Sequence, residues 1–180
     1  MSKFKQLKNN LPQSYLEMKE LIFHPNTLWY RQTGNPVASV QEKPDFVWFA
    51  HNILRRPMGD ARYTEPVSSI AKLTTQALTE ILKNNDKDPY IFHRIAVNLL
   101  PRQNKLTVPP AHVDHDFDYK HLLIYLNNSD GDTVMYNTKN QIIDRSSPRE
   151  DKVISFDKCL HSGHFPIKSP ERIVLVATYT

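Results

Sequence analysis

The chain has 180 residues, 39% of them hydrophobic, with eight Phe, eight Tyr, two Trp and a net charge of +4. That is enough apolar material for one domain with a real core, and a β-barrel or sandwich of this length is ordinary. The single Cys159 excludes an internal disulfide and a cysteine-rich zinc site, and no GxGxxG or GxxxxGK(S/T) pattern offers a dinucleotide or P-loop site. No apolar run approaches the roughly 18 residues of a membrane span, so the expectation is a soluble, cytoplasmic, single-domain protein without a membrane partner. Nothing in the composition sets an oligomeric state.

Residues 1–13 are polar and basic, and Lys3, Lys5 and Lys8 sit in an arm expected to be loose. A solvated tail is the plain reading of that arm, and attraction to nucleic acid the sharper one. Ser14-Tyr15-Leu16-Glu17 reads as a capping box, the Ser and Glu each covering the other's free backbone N–H. A helix should follow to about Phe23, with Leu16, Leu21 and Ile22 as its apolar contacts and Pro25 just past its end. Thr27–Arg31 and Phe46–His51 are strand-like, with turn chemistry between them at Gly34-Asn35-Pro36 and Lys43-Pro44-Asp45. Arg55-Arg56-Pro57-Met58-Gly59-Asp60 is a loop. Pro66 then sits near the start of the clearest helix, where Ile70, Leu73, Ala77, Leu78, Ile81 and Leu82 recur every three or four residues until Asn84-Asn85-Asp86.

After Pro89 the pattern changes to short strands. Tyr90–Leu100, His112–Asp114, His121–Asn127, Thr133–Asn137, Gln141–Asp144, Lys152–Phe156 and Arg172–Tyr179 are separated by polar turns. Candidate strands at this spacing indicate a mainly β antiparallel sandwich or jelly roll, with the two helices on the outside of one sheet. Residues 1–89 form a helical and strand support region, and 90–180 the jelly-roll half.

Within that half, His112 and Asp114 lie two positions apart, which puts both on one face of an extended segment. His161 follows a long gap later, and Arg172 opens the last apolar strand. His-x-Asp alone is weak and fits a surface turn pair; the conjunction carries the reading. Two imidazoles and one carboxylate on one side of a metal form the facial triad of non-haem Fe(II) oxygenases. Arg172 shares strand parity with Val174, Val176 and Thr178, so its charge points into the core and needs a partner there. That partner is either a ligand carboxylate, for which guanidinium is a planar two-pronged donor, or a protein acid.

The run Tyr125-Leu126-Asn127, the turn Asp130-Gly131-Asp132-Thr133, Ser155-Phe156-Asp157, His161-Ser162-Gly163-His164-Phe165-Pro166 and Arg172 carry a family likeness. They resemble the catalytic half of small prolyl-4-hydroxylase-like Fe(II)/2-oxoglutarate-dependent oxygenases, of the compact kind found in bacteriophage and marine bacterial genomes. The resemblance covers residues 90–180 well and the N-terminal half loosely. It implies a double-stranded β-helix (jelly roll, cupin-like), with Fe(II) held by His112, Asp114 and His161. It also implies 2-oxoglutarate held through its far carboxylate by Arg172, with the Tyr125 hydroxyl assisting, and O2 as co-substrate. The implied reaction hydroxylates a C–H bond and releases succinate and CO2, in the host cytoplasm if the chain is phage-encoded.

Several neighbours stay open at this stage. Tyr125 by itself reads as a core aromatic. Asn98 shares parity with Arg94 and Ala96 and reaches 2-oxoglutarate or substrate only if that face looks inward. His121 either lines the pocket or is a buried, hydrogen-bonded side chain. His164 is a weaker alternative to His161, His115 is expected to face solvent or a lid, and Cys159 is structural. Arg55, Arg56, Arg102 and Lys105 are expected to be surface charge rather than contacts to an acidic partner. A peptidyl or small-molecule substrate is favoured, with nucleic acid possible. The rival readings are a 2-oxoglutarate-independent cupin-type metal dioxygenase and a catalytically silent jelly-roll binding or virion protein.

Overall fold

The computed structural model describes residues 3–33, 46–57 and 64–180. In chain order these form strand β1 (Lys5–Leu7), helix α1 (Gln13–Phe23), β2 (Tyr30–Thr33), β3 (Val47–Leu54), helix α2 (Ala71–Lys83) and β4 (Phe92–Pro101). Then come β5 (Lys120–Tyr125), β6 (Thr133–Tyr136), β7 (Ile142–Ser146), β8 (Val153–Asp157), β9 (Leu160–Gly163) and β10 (Glu171–Tyr179). Seven strands make one sheet in the order β1-β8-β5-β10-β4-β3-β2, and three make a second in the order β7-β6-β9. The large sheet is antiparallel throughout, with β10 at its centre between β4 and β5.

Strand β10 shows why both faces of this sheet are covered. Its residues are buried almost without interruption, as expected of a strand with packing on both sides. Ile173, Leu175, Ala177 and Tyr179 join Ile95 and Val97 of β4 and Leu122 and Ile124 of β5 in a core roofed by the two helices. The alternate residues Val174 and Val176 meet Leu123, Tyr125, Ile154 and Phe156 in a second core that includes Met135 of the small sheet. The helices therefore pack outside the large sheet, as expected, and the space between the two sheets is left for the site.

Several local expectations are corrected. Pro12, not Ser14, stands at the N-cap of α1, and no side chain caps this end. The helix begins ahead of the supposed box, so Ser14 falls inside its first turn and donates from Oγ to Glu80 Oε2 of α2 (2.6 Å). The buried stripe of α1 is Tyr15, Met18 and Ile22; Leu16 and Leu21, expected as contacts, are each 43% exposed. Residues 5–7 are not a loose arm but the edge strand β1, paired with β8 from Lys5↔Ser155 to Leu7↔Val153. Pro66 bridges to Leu54 instead of opening α2, which starts at Ala71. His112–Asp114 forms no strand, whereas residues 160–163, given no strand by the pattern, form β9. The turns expected at 34–36 and 43–45, and the loop beyond Pro57, lie outside the described residues. No described helix is long and apolar enough to cross a membrane.

Because Met18 is fully buried and Leu16 is not, Met18→Ala should lower stability by about 2–5 kcal/mol. Leu16→Ala should stay within about 0.5 kcal/mol. Urea unfolding of the two variants beside the parent checks the orientation of α1.

Candidate metal centre

The segment carrying His112 and Asp114 has no ladder of its own and is held against β9 by a single two-way pairing. His112 N–H donates to the His161 carbonyl and His161 N–H to the His112 carbonyl, both at 3.0 Å. Ser162 Oγ fastens the approach by donating to the Pro109 carbonyl (2.7 Å). Directly paired residues project to one face of an antiparallel pair, so the two imidazoles lie side by side, ring centroids 4.7 Å apart. Asp114, two residues on, returns to that face. One ligand atom from each of His112, Asp114 and His161 lies within 4.8 Å of the other two.

Both histidines present the nitrogen that a metal needs. His161 Nδ1 lies 3.1 Å from the Cys159 carbonyl, and His112 Nδ1 lies 3.3 Å from the Pro110 carbonyl. A carbonyl only accepts, so each Nδ1 carries the proton and each Nε2 keeps its lone pair, the arrangement typical of metal-ligating histidine. Burial, reinforced by neighbouring histidines, brings the pKa of each down to about 4, so both rings are neutral near pH 7. Burial opposes ionisation of Asp114, but the hydrogen bond from His121 and the Arg94 guanidinium outweigh it and hold the carboxyl well below the usual range. Neutral imidazoles and an ionised carboxylate are the donor states that a divalent transition metal requires, so the residues present fit such an ion.

Three further groups converge on Asp114. His121 Nε2–H donates to Oδ2 (3.0 Å), while Arg56 Nη2 and Arg94 Nη1 lie 2.6 and 3.5 Å from Oδ1. Arg56 also donates from Nη1 to the Asp114 carbonyl, and Asp114 N–H donates to Tyr119 Oη (2.7 Å). Arg56 is therefore no ordinary surface charge; it is drawn in because Asp114 would otherwise be a buried carboxylate short of partners. His121 is the buried, hydrogen-bonded alternative. His115 is not turned to solvent: it is buried, with Nε2 2.8 Å from Thr178 Oγ1. His164 is outside the His112, Asp114 and His161 cluster, its Nε2 3.2 Å from Tyr136 Oη. Cys159 is half-buried, and burial pushes its thiol up to about 12, away from reactivity.

Arg172 lines the same cavity as this cluster. It is 3% exposed; Nη2 donates to Thr133 Oγ1 (2.8 Å), and Nε has no partner. Among the described residues no carboxylate forms an ion pair with it. The Tyr125 ring lies 5.7 Å from its Cζ, and the Tyr125 hydroxyl is 2.8 Å from Thr133 Oγ1 and 3.1 Å from the Ser146 carbonyl. Tyr125 and Arg172 thus share Thr133, whose hydroxyl borders the cavity. Asn98 also borders it, with Oδ1 buried and unpartnered, so the face of β4 that carries Arg94 and Asn98 does look inward.

Two antiparallel sheets closed around a cavity, with a His-Asp-His face and a buried guanidinium on its walls, define a double-stranded β-helix with a candidate metal centre. No protein-family model and no curated protein matches the sequence. Among solved structures, the chain is similar to an oxidoreductase of the 2OG-Fe(II) oxygenase family from Burkholderia pseudomallei. The TM-score is 0.70 at 13% identity, over 98% of this chain and 84% of that one. It is also similar to a prolyl hydroxylase from Trichoplax adhaerens, solved in complex with a hypoxia inducible factor oxygen degradation domain peptide fragment. There the TM-score is 0.60 at 14% identity, over 98% of this chain and 82% of that one. At such identities the likeness establishes the fold.

Two glycines make room for Arg172. A Cβ on Gly131 would lie 2.5 Å from the His164 carbonyl oxygen and 3.0 Å from Arg172 Cδ, whereas one on Gly163 would meet only the guanidinium, at 3.1 Å or more. Gly131→Ala should therefore destabilise by about 1–3 kcal/mol, because backbone must move. Gly163→Ala should cost less, because a side-chain end can give way. Thermal unfolding of the pair measures the difference.

Proposed function

We propose that the chain is an Fe(II)- and 2-oxoglutarate-dependent oxygenase that hydroxylates a C–H bond of a peptidyl or small-molecule substrate. The observation that carries this is the buried Arg172 guanidinium, without an acid partner among the described residues, on the wall of the cavity that holds His112, Asp114 and His161. A buried cation that lacks an anion costs free energy, and a dicarboxylate co-substrate removes that cost. A metal dioxygenase working without 2-oxoglutarate has no need of Arg172, which favours the 2-oxoglutarate reading over the cupin-type rival.

In this reading His112 Nε2, His161 Nε2 and an Asp114 oxygen hold the iron. With 2-oxoglutarate and O2, that centre supplies the oxidation of the substrate and releases succinate and CO2. The protein's own contributions are ligation, orientation and exclusion of water. Arg172 and the Thr133 hydroxyl receive the far carboxylate of 2-oxoglutarate, with Tyr125 fixing Thr133 from behind. Asn98 offers a further polar contact on the same wall. His121 holds Asp114 by the oxygen that faces away from Arg56 and Arg94. Phe46 and Phe165, with ring centroids 5.2 Å apart, form an apolar side to the cavity with Trp48 and Leu100. A peptidyl substrate is supported by the peptide bound to the Trichoplax protein; fold analogy alone is a weak warrant for substrate. A cytoplasmic setting belongs to the same proposal.

Anaerobic addition of Fe(II) and then 2-oxoglutarate to the purified chain should produce a visible metal-to-ligand charge-transfer band that requires both. Asp114→Ala should abolish it, and Arg172→Ala should weaken 2-oxoglutarate binding by about 2–5 kcal/mol, roughly 30-fold or more. Iron binding with no response to 2-oxoglutarate would move the cupin-type reading ahead, and no iron binding would sink the enzyme.

His121→Phe removes the partner of Asp114 Oδ2 while keeping an aromatic ring stacked on Phe156, now 4.2 Å away. Fe(II) affinity should fall about 10- to 100-fold, as for other losses of a group that orients a metal ligand. Competition against a chelating dye reads this directly.

A further inference from the structure

The described walls of the cavity carry three guanidiniums, Arg56, Arg94 and Arg172, and one carboxylate, Asp114. Counted over these four side chains, the walls carry a surplus of two positive charges. A divalent metal raises that to four, and the dianion 2-oxoglutarate lowers it to two. The surplus lies at one end. Arg94 pairs across the sheet with Thr178 and Arg172 with Leu100, so they stand six residues apart on the β4–β10 pair, about 20 Å of strand. The rows of Val174 with Asn98 and of Val176 with Ala96 lie between them. Arg172 and the Arg56–Arg94 pair are thus placed to serve separate anions.

The partner of the second pair is provisional. Arg94 is 9% exposed, and among the described residues its ion-pair contact is Asp114 Oδ1 at 3.5 Å; Arg56 reaches the same oxygen at 2.6 Å. Two cations share one oxygen, and that oxygen lies on the side of Asp114 facing His112 Nε2, 3.9 Å away. A metal bound there takes over the charge both arginines rely on. Buried guanidinium then requires a new acceptor, and a carboxylate suits its planar fork.

We propose that the substrate of this site carries a carboxylate, bound by Arg94 and Arg56, with an apolar body against Phe46, Trp48 and Phe165. The inference rests on the oxygenase reading and names its substrate class. The carboxylate comes in two forms, a free acid or the C-terminus of a peptide, and both offer the same group to the same pair.

The test is calorimetric, on the chain loaded anaerobically with Fe(II) and 2-oxoglutarate, with the charge-transfer band recorded beforehand. The probes are 4-methylpentanoate and an N-acetylated tripeptide ending in leucine, each against its uncharged amide. At least one carboxylate should bind about 10- to 100-fold more tightly than its amide, the range for a hydrogen bond to a charged group. Which one does so tells a free acid from a peptide terminus. Arg94→Gln should bring that ratio close to one, with part of it restored in Arg94→Lys. Arg172→Gln should weaken the 2-oxoglutarate band yet keep the ratio. No band in the parent chain sinks the oxygenase reading and this inference with it. A band with equal binding of acid and amide, or with no binding of either, overturns the inference alone, as does a ratio that survives Arg94→Gln.

Discussion

A carboxylate buried as deeply as Asp114, at 5% exposure, is tolerated only where its charge is met, and much of the architecture around the site serves that need. His121 arrives from β5, Arg94 from β4 and Arg56 from just beyond β3, while Tyr119, in the connection into β5, accepts from the Asp114 backbone N–H. Those strands are brought within reach of one oxygen pair by a sheet order that sets β4 and β3 on one side of β10 and β5 on the other. Besides that cluster, the segment that carries His112 and Asp114 is held by one pairing with β9, a serine bond to Pro109 and the contact of His115 with Thr178. The polar cluster on Asp114 therefore does for this loop what a hydrogen-bond ladder does for a strand.

The other end of the cavity is organised by a different economy of space. Arg172 stands near the start of a strand whose next two inward residues, Val174 and Val176, are aliphatic, and its guanidinium fits because Gly131 and Gly163 leave no side chain in its way. Thr133 then serves two donors at once, Arg172 and Tyr125, and ties the large sheet to β6. Between the two polar ends lie Val174, Val176 and Leu123, which hold the charged groups apart.

How far this was legible in sequence depended on where the determining contacts lie. The period-two pattern of β10 and the helical period of 70–82 are local, and both appear in the fold close to where they were expected. His112, Asp114, His161 and Arg172 were found through residue type and order, and the structure brings them to one cavity. Arg56 was missed because nothing near it marks it; its partner is 58 residues away. Arg94 was noticed for its parity with Asn98, but its role needs the pairing of β4 with β10 and the loop position of Asp114. The capping box failed for a related reason: Ser14 had a partner in α2, at Glu80, that a four-residue motif cannot reveal. Strand β1 escaped notice because three residues at an edge, one of them a lysine, look like a solvated tail.

The charge pattern also bears on how the fold tolerates such a site. Arg172 and Arg94 are both nearly enclosed, and burial lowers the pKa of each, a sign that the folded chain holds these cations against a desolvation cost. Arg94 has Asp114 to offset part of that cost; Arg172 has a hydroxyl and an aromatic face. An anion that binds only the folded chain adds stability in proportion to the logarithm of its excess over its dissociation constant, about 2.7 kcal/mol at a hundredfold excess. The cavity thus concentrates in one place the free energy that the fold gives up and that ligands return. A metal held by His112, Asp114 and His161 would compete with Arg56 and Arg94 for the same carboxylate oxygen, so its occupancy and that of an anion beside those arginines would be linked. The anion would offset the positive charge that a metal adds beside the arginines, and by the reciprocity of linkage each would then strengthen the other.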